Sequence, residues 1–194
     1  AILQSETYFP IKQYIFYKLG NTPFEDKKEL IEIGMKQNVY VRQAIAETVS
    51  EIPIEFISQY ETFLEDDSYK TKEIALVNLC NSFPDQANDY LEKLKNLHGN
   101  NDKSLRVTWL KFALNSDKYL NYKNLYFNEL FNYTSSNNES YIRENALEVL
   151  LELYPENEQV IQALFQATTH HKWQFTKFAR EKIRTMLKQP DFRN

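Results

Sequence analysis

Residues 141–153 read Tyr141-Ile142-Arg143-Glu144-Asn145-Ala146-Leu147-Glu148-Val149-Leu150-Leu151-Glu152-Leu153. Ile142, Ala146, Val149, Leu150 and Leu153 recur at spacings of three and four, so an α-helix places them on one face. A second stripe, Phe175, Phe178, Ala179, Ile183, Met186 and Leu187, has the same period. Extending this reading predicts helices over 10–19, 23–37, 39–52, 54–65, 69–82, 86–97, 103–114, 120–132, 141–153, 157–168 and 172–188. No alternating run is long enough to argue a strand. Thr22-Pro23-Phe24-Glu25 reads as a capping box with proline at the first helical position. Gly20 and Gly99 stand where helix C-terminal caps are expected, and Pro53, Pro84, Pro155 and Pro190 interrupt the stripes.

The helices carry a repeat. An aromatic residue opens a helix and an alanine follows five or six positions later: Tyr40 and Ala46, Tyr69 and Ala75, Tyr141 and Ala146, Trp173 and Ala179. A degenerate copy opens at Leu105 and carries Trp109 and Leu110, so the openers are 29, 36, 36 and 32 residues apart. A helical hairpin cannot bury its apolar face alone, whereas stacked hairpins bury theirs together, and alanine lets neighbouring helices approach. The predicted fold is all-α, a HEAT/ARM-like α–α superhelix of stacked hairpins with about 10–11 helices. A non-repeating helical bundle is the alternative. Ala146 and Ala179 are expected at helix–helix contacts. Residues 1–20 are read as an N-terminal helix or the remnant of a preceding domain, and 21–194 as one solenoid domain.

Composition narrows the function. The 194 residues are 42% hydrophobic and 26% charged, which suits a folded chain rather than a disordered one. Only three glycines occur, 14 and 65 residues apart, so neither G-x-G-x-x-G nor G-x-x-x-x-G-K can be written. With 23 basic and 27 acidic residues the net charge is −4, which argues against a nucleic-acid partner. No run approaches ~18 apolar residues, so no membrane span is expected. The first residue is Ala1, with no start Met, from which removal of a segment or excision from a longer chain is expected. The lone cysteine, Cys80, excludes an internal disulfide and lies in an apolar run that predicts a buried structural thiol.

Candidate chemistry is sparse. The histidines are His98, His170 and His171, and no H-E-x-x-H occurs. On a helix the adjacent pair would diverge by about 100°, which suits one metal poorly; surface or capping roles are the plainer reading. No G-x-S-x-G elbow is present. Glu148 with Glu152, and Glu25 with Glu29 and Glu32, read as solvated helix faces. The clustered tyrosines and phenylalanines have few basic neighbours and read as linings of helix pairs with hydroxyls in water. Charge is unevenly spread. Residues 170–194 hold seven basic and two acidic residues (+5), whereas 1–169 hold 16 and 25 (−9). Helix-dipole compensation, neutralisation of an adjacent acidic repeat, or a docking surface for an acidic partner or a substrate carboxylate would each use this distribution.

One resemblance adds to this. Thr168-Thr169-His170-His171-Lys172-Trp173-Gln174-Phe175-Thr176-Lys177-Phe178-Ala179-Arg180, with Tyr141-Ile142-Arg143-Glu144-Asn145-Ala146-Leu147 upstream, resembles the C-terminal helical-repeat region of bacterial (Bacteroidetes-like) zinc aminopeptidases of the gluzincin, aminopeptidase N type. The resemblance spans about residues 20–194, with specificity only in these two stretches. It implies a non-catalytic accessory domain that shapes peptide access to an upstream catalytic domain. Zinc and the G-x-M-E-N motif belong to that domain, so no catalytic or metal-binding residue and no cofactor is expected on this chain. The implied partners are the catalytic domain of the same parent chain and the peptide substrate. The residues offered as substrate or partner contacts are Arg143, His170, His171, Lys172, Trp173, Lys177 and Arg180. A free-standing HEAT-like protein-interaction scaffold is the alternative.

Overall fold

The computed structural model describes residues 8–96 and 102–188. Among them are eleven α-helices, four short 3-10 segments and no strand. The chain divides into two compact units, residues 1–112 and 113–194.

The first unit holds α1 (Phe9–Lys18), α2 (Phe24–Met35), α3 (Val39–Thr48), α4 (Ile57–Glu61), α5 (Tyr69–Ser82), α6 (Ala87–Lys93) and most of α7 (Lys103–Asn115). Helices α1 and α2 pack on α3, α3 on α5, and α5 on α6. Local chemistry sets several starts. The Asn38 side chain accepts from the N–H groups of Tyr40 and Val41, and Ser68 accepts from Thr71, so α3 and α5 begin on side-chain caps. Between α3 and α5 a buried polar node forms. Tyr60 donates its hydroxyl to the Ala46 carbonyl at 2.8 Å, and Asn78 donates to both Tyr60 Oη (2.7 Å) and that carbonyl (3.1 Å).

Several expectations are corrected here. The capping box at Thr22 does not form: Pro23 takes the N-cap position of α2 and no side chain caps it. Gly20 lies one residue past the C-cap Leu19 and has no positive φ. The end of α1 is closed instead by Lys27, which is buried and donates to the Leu19 and Gly20 carbonyls at 3.1 and 3.0 Å. The expected helix 39–52 stops at Thr48. Thr48 bonds back to the Ala44 carbonyl, Val49 leaves helical geometry, and Pro53 disfavours helix in the residue before it. Residues 54–65 are likewise not one helix but α4 between two 3-10 turns. The expected helix 86–97 begins after a 3-10 turn and stops at Lys93, with Leu94 as its C-cap. Gly99, Pro190 and His98 lie outside the described residues.

The second unit contains the end of α7, a 3-10 segment (Asp117–Tyr122), α8 (Lys123–Asn132), α9 (Ser140–Leu153), α10 (Glu158–Ala167) and α11 (Trp173–Met186). Helix α9 contacts α8, α10 and α11, and α10 contacts α11. Leu147, Leu164, Ala167, Phe175 and Ala179 form one core cluster of this unit, with Leu151, Phe178 and Ile183 packed around them.

In four of the five copies of the repeat the small residue is buried and the opener exposed. Ala46, Ala75, Ala146 and Ala179 are all 0% exposed, while the openers Tyr40, Tyr69, Tyr141 and Trp173 keep 49%, 40%, 59% and 68% of their surface. Each of these four openers is the first or second residue of its helix, whereas the fifth, Leu105, is the third residue of α7 and is buried. Three arginines near helix starts share one device, donating to a carbonyl of the preceding turn: Arg42 to Gln37 (2.7 Å), Arg106 to Lys95 (3.2 Å) and Arg143 to Thr134 (2.8 Å). No helix among the described residues is long and apolar enough to cross a membrane.

Two substitutions test this packing. Gly34 is where α2 meets α1 and α3. A Cβ there would overlap the Phe16 ring and come within 2.6 Å of Ile45 Cδ1. Both neighbours are buried, so Gly34→Val is expected to cost about 1–3 kcal/mol and lower the thermal midpoint. Ala146→Glu places a charge where no exposure remains and is expected to abolish the cooperative helical melt in circular dichroism. A parent-like melt of Ala146→Glu would show the register to be misplaced.

Candidate functional site

The residues offered as contacts all lie in the second unit, on α9, α11 and the turn before α11. Thr176 anchors that turn by donating its hydroxyl to the His170 carbonyl at 2.7 Å, and Arg180 reaches the Thr168 carbonyl at 3.4 Å. His170 and His171 therefore sit in a turn, not on a helix as the divergence argument supposed. Their ring centroids are 4.2 Å apart. His170 Nδ1 accepts from the Lys172 N–H at 3.1 Å, and its ring meets Phe175 edge-on. This makes His170 the acceptor that orders the start of α11, whose N-cap Lys172 offers no side-chain cap.

A shallow open depression of about 480 Å³ gathers His170, His171, Trp173, Lys177 and Arg180 beside Thr176, Glu181 and Arg184. Five of the seven offered residues therefore meet. Lys172 extends elsewhere, with Nζ 3.4 Å from Ser140 Oγ at the start of α9. Arg143 also stands apart. Its guanidinium lies 4.7 Å from the centre of the Phe175 ring and donates to Thr134, which ties α9 to its preceding turn and to α11. Burial lowers its pKa.

Arg184 was not among the offered residues. Spacing could have found it, because Trp173, Lys177, Arg180 and Arg184 follow one another at four, three and four. All four are exposed. Lys177 has only a loose contact to Glu181 at 3.8 Å. By contrast Lys182, on the inner side, is committed to Glu148 at 2.6 Å and lies over Phe178. The cations of α11 thus divide between Lys182, paired across to α9, and three that are exposed, of which Arg180 also reaches the Thr168 carbonyl.

Other candidates settle into structure. Cys80 is buried, and burial pushes its thiol up to about 12, so it stays protonated near neutrality. Glu25, Glu29, Glu32, Glu148 and Glu152 are exposed. Among the described residues, no three of His, Cys, Asp and Glu come together as a metal-holding group. A larger hollow of about 780 Å³ in the first unit includes Phe24, Lys27, Glu51 and Phe83, but its cation already serves the end of α1. Comparison with protein-family models, with curated proteins and with solved structures gives no match.

Two measurements follow from this geometry. Partial desolvation, then the neighbouring His171, Arg143 and Lys172, lower the pKa of His170 from 6.5. The unfolded chain therefore takes the proton first, and stability is expected to fall as pH drops from 6.5 toward the folded-state value. An NMR titration of His170 should show a midpoint below 6.5. Arg143→Leu leaves the Thr134 carbonyl without its donor and should cost about 1–3 kcal/mol in a denaturant melt.

Proposed function

We propose that this chain is a HEAT-like helical-repeat domain that carries out no reaction of its own and acts by docking. The reading favoured is the accessory C-terminal domain of a zinc aminopeptidase of the gluzincin type, with zinc held in the catalytic domain of the parent and this domain shaping peptide access. The observation that carries the docking role is the outer stripe of α11, where an exposed indole and three solvent-facing cations share one helix face. An isolated cation in water gains little from solvation by a helix surface, whereas a row beside an aromatic ring suits an acidic peptide with one apolar anchor. The exposed helix-opening aromatics and the buried alanines support the repeat reading, since both recur at the same register in each unit. A free-standing interaction scaffold uses the same stripe and differs in needing no parent enzyme.

The docking role is tested with a labelled Glu- and Leu-rich peptide in a fluorescence-anisotropy titration at low salt. Saturable binding is expected, weakened about tenfold or more by Lys177→Glu with Arg180→Glu and Arg184→Glu, and weakened by added salt. Equal binding by parent and triple variant would overturn it. The absence of an own reaction is tested by incubating the pure chain with aminoacyl-nitroanilides, and any hydrolysis that follows the protein through purification would overturn that part.

A further inference from the structure

The outer face of α11 has a counterpart on this same polypeptide. Helix α2 exposes Glu25, Glu29, Glu32 and, at its C-cap, Lys36, with Lys28 half-exposed beside them. Among the described residues none of these five side chains has a hydrogen bond or ion pair. Their spacing is four, three and four, and it is the spacing of α11 read backwards. At 100° per residue each set occupies about 60° of its helix circumference, and at 1.5 Å per residue each is about 16 Å long. Laid antiparallel, Glu25 meets Arg184, Glu29 meets Arg180, Glu32 meets Lys177, and Lys36 meets the Trp173 ring. Each of the four stripe positions finds a complementary group, and the acidic N-terminal turn of α2 comes to lie by the basic end of α11, as two antiparallel helix dipoles prefer.

We infer that a second copy of this chain occupies the α11 stripe, presenting the α2 face in antiparallel register, so that the molecule self-associates through an acidic helix of one copy and a basic helix of another. This rests on reading the outer face of α11 as a docking face and names its partner. Because the pairs are exposed, the association is weak and electrostatic, and it strengthens as the screening length grows. The two surfaces differ, so the contact is heterologous and builds a ring or a chain of copies according to whether its rotation closes.

Sedimentation equilibrium of the whole chain tests it. At about 0.01 M salt the apparent mass should rise with protein concentration, and at about 1 M salt it should return to that of a monomer. Glu25→Lys with Glu29→Lys and Glu32→Lys should remain monomeric, as should Lys177→Glu with Arg180→Glu and Arg184→Glu. All six positions are exposed, and circular dichroism should show both variants folded. Mixing the two variants in equal amounts should restore the mass increase, since the reversed α2 of one then faces the reversed α11 of the other. A monomeric parent at low salt, association unaffected by either reversal, or no restoration on mixing overturns the inference. A monomeric parent that still binds the acidic peptide, with loss on reversing α11 alone, would sink the second copy and leave the docking face standing.

Discussion

Close approach of helices at small side chains is the constraint on which the rest of the structure depends. Each hairpin has an apolar stripe that only a neighbouring helix can cover, and the depth of cover is limited by the residue at the crossing. Ala46, Ala75, Ala146 and Ala179 supply that residue in α3, α5, α9 and α11, and Gly34 supplies it where α2 meets Phe16 and Ile45. Larger side chains there would hold the helices apart and loosen the packing of Tyr60, which bonds the Ala46 carbonyl, and of Phe175, which clusters with Ala179. The alanines also fix rotation. With Ala179 turned inward beside Phe175, the opposite side of α11 is left for Trp173, Lys177, Arg180 and Arg184.

The polar groups near the helix starts work with that constraint. Arg42, Arg106 and Arg143 each satisfy a carbonyl that a preceding turn leaves unpaired, so the turn is held close while the helix runs on into the core. Lys27 does the same for the end of α1, at the cost of burying an ammonium whose pKa is lowered by desolvation. Here a lysine does what a left-handed glycine often does at a helix end. Gly20 is consequently free of any conformational demand that only glycine could meet.

Helix period and small-residue register were legible in the sequence because they arise from local geometry. The stripes of α9 and α11 and the burial of Ala146 and Ala179 follow from 3.6 residues per turn and the need to cover an apolar face. What the sequence hid depends on which of several available partners each side chain takes. Nothing in Thr22-Pro23-Phe24-Glu25 reveals that no cap would form, and the role of Lys27 requires knowing that the end of α1 lies within reach. The early end of α3 was hidden by Val49 and Ile52, whose apolar period continues after Thr48 has turned its hydroxyl back to Ala44. At the candidate site the exposed members were legible as a charge excess. The separation of Arg143 was not, because it turns on the Phe175 ring and the Thr134 carbonyl, residues 32 and nine positions away.

The same distinction bears on what the cations of α11 are for. If the positive charge served only to balance an acidic body, the cations would be expected to face carboxylates of neighbouring helices, as Lys182 faces Glu148. Lys177, Arg180 and Arg184 instead lie on the side of the helix away from that core, beside an indole that keeps 68% of its surface. Dipole compensation does not account for the arrangement either. It would concentrate cations in the last turn, whereas Lys177 lies in the N-terminal half of α11, where a positive charge is opposed by the dipole. The docking proposed for α11 rests on this row, which begins against the dipole, keeps helical register and borders an exposed Trp. Among the described residues the acidic face of α2 has no ion-pair partner, and the proposed self-association uses that face.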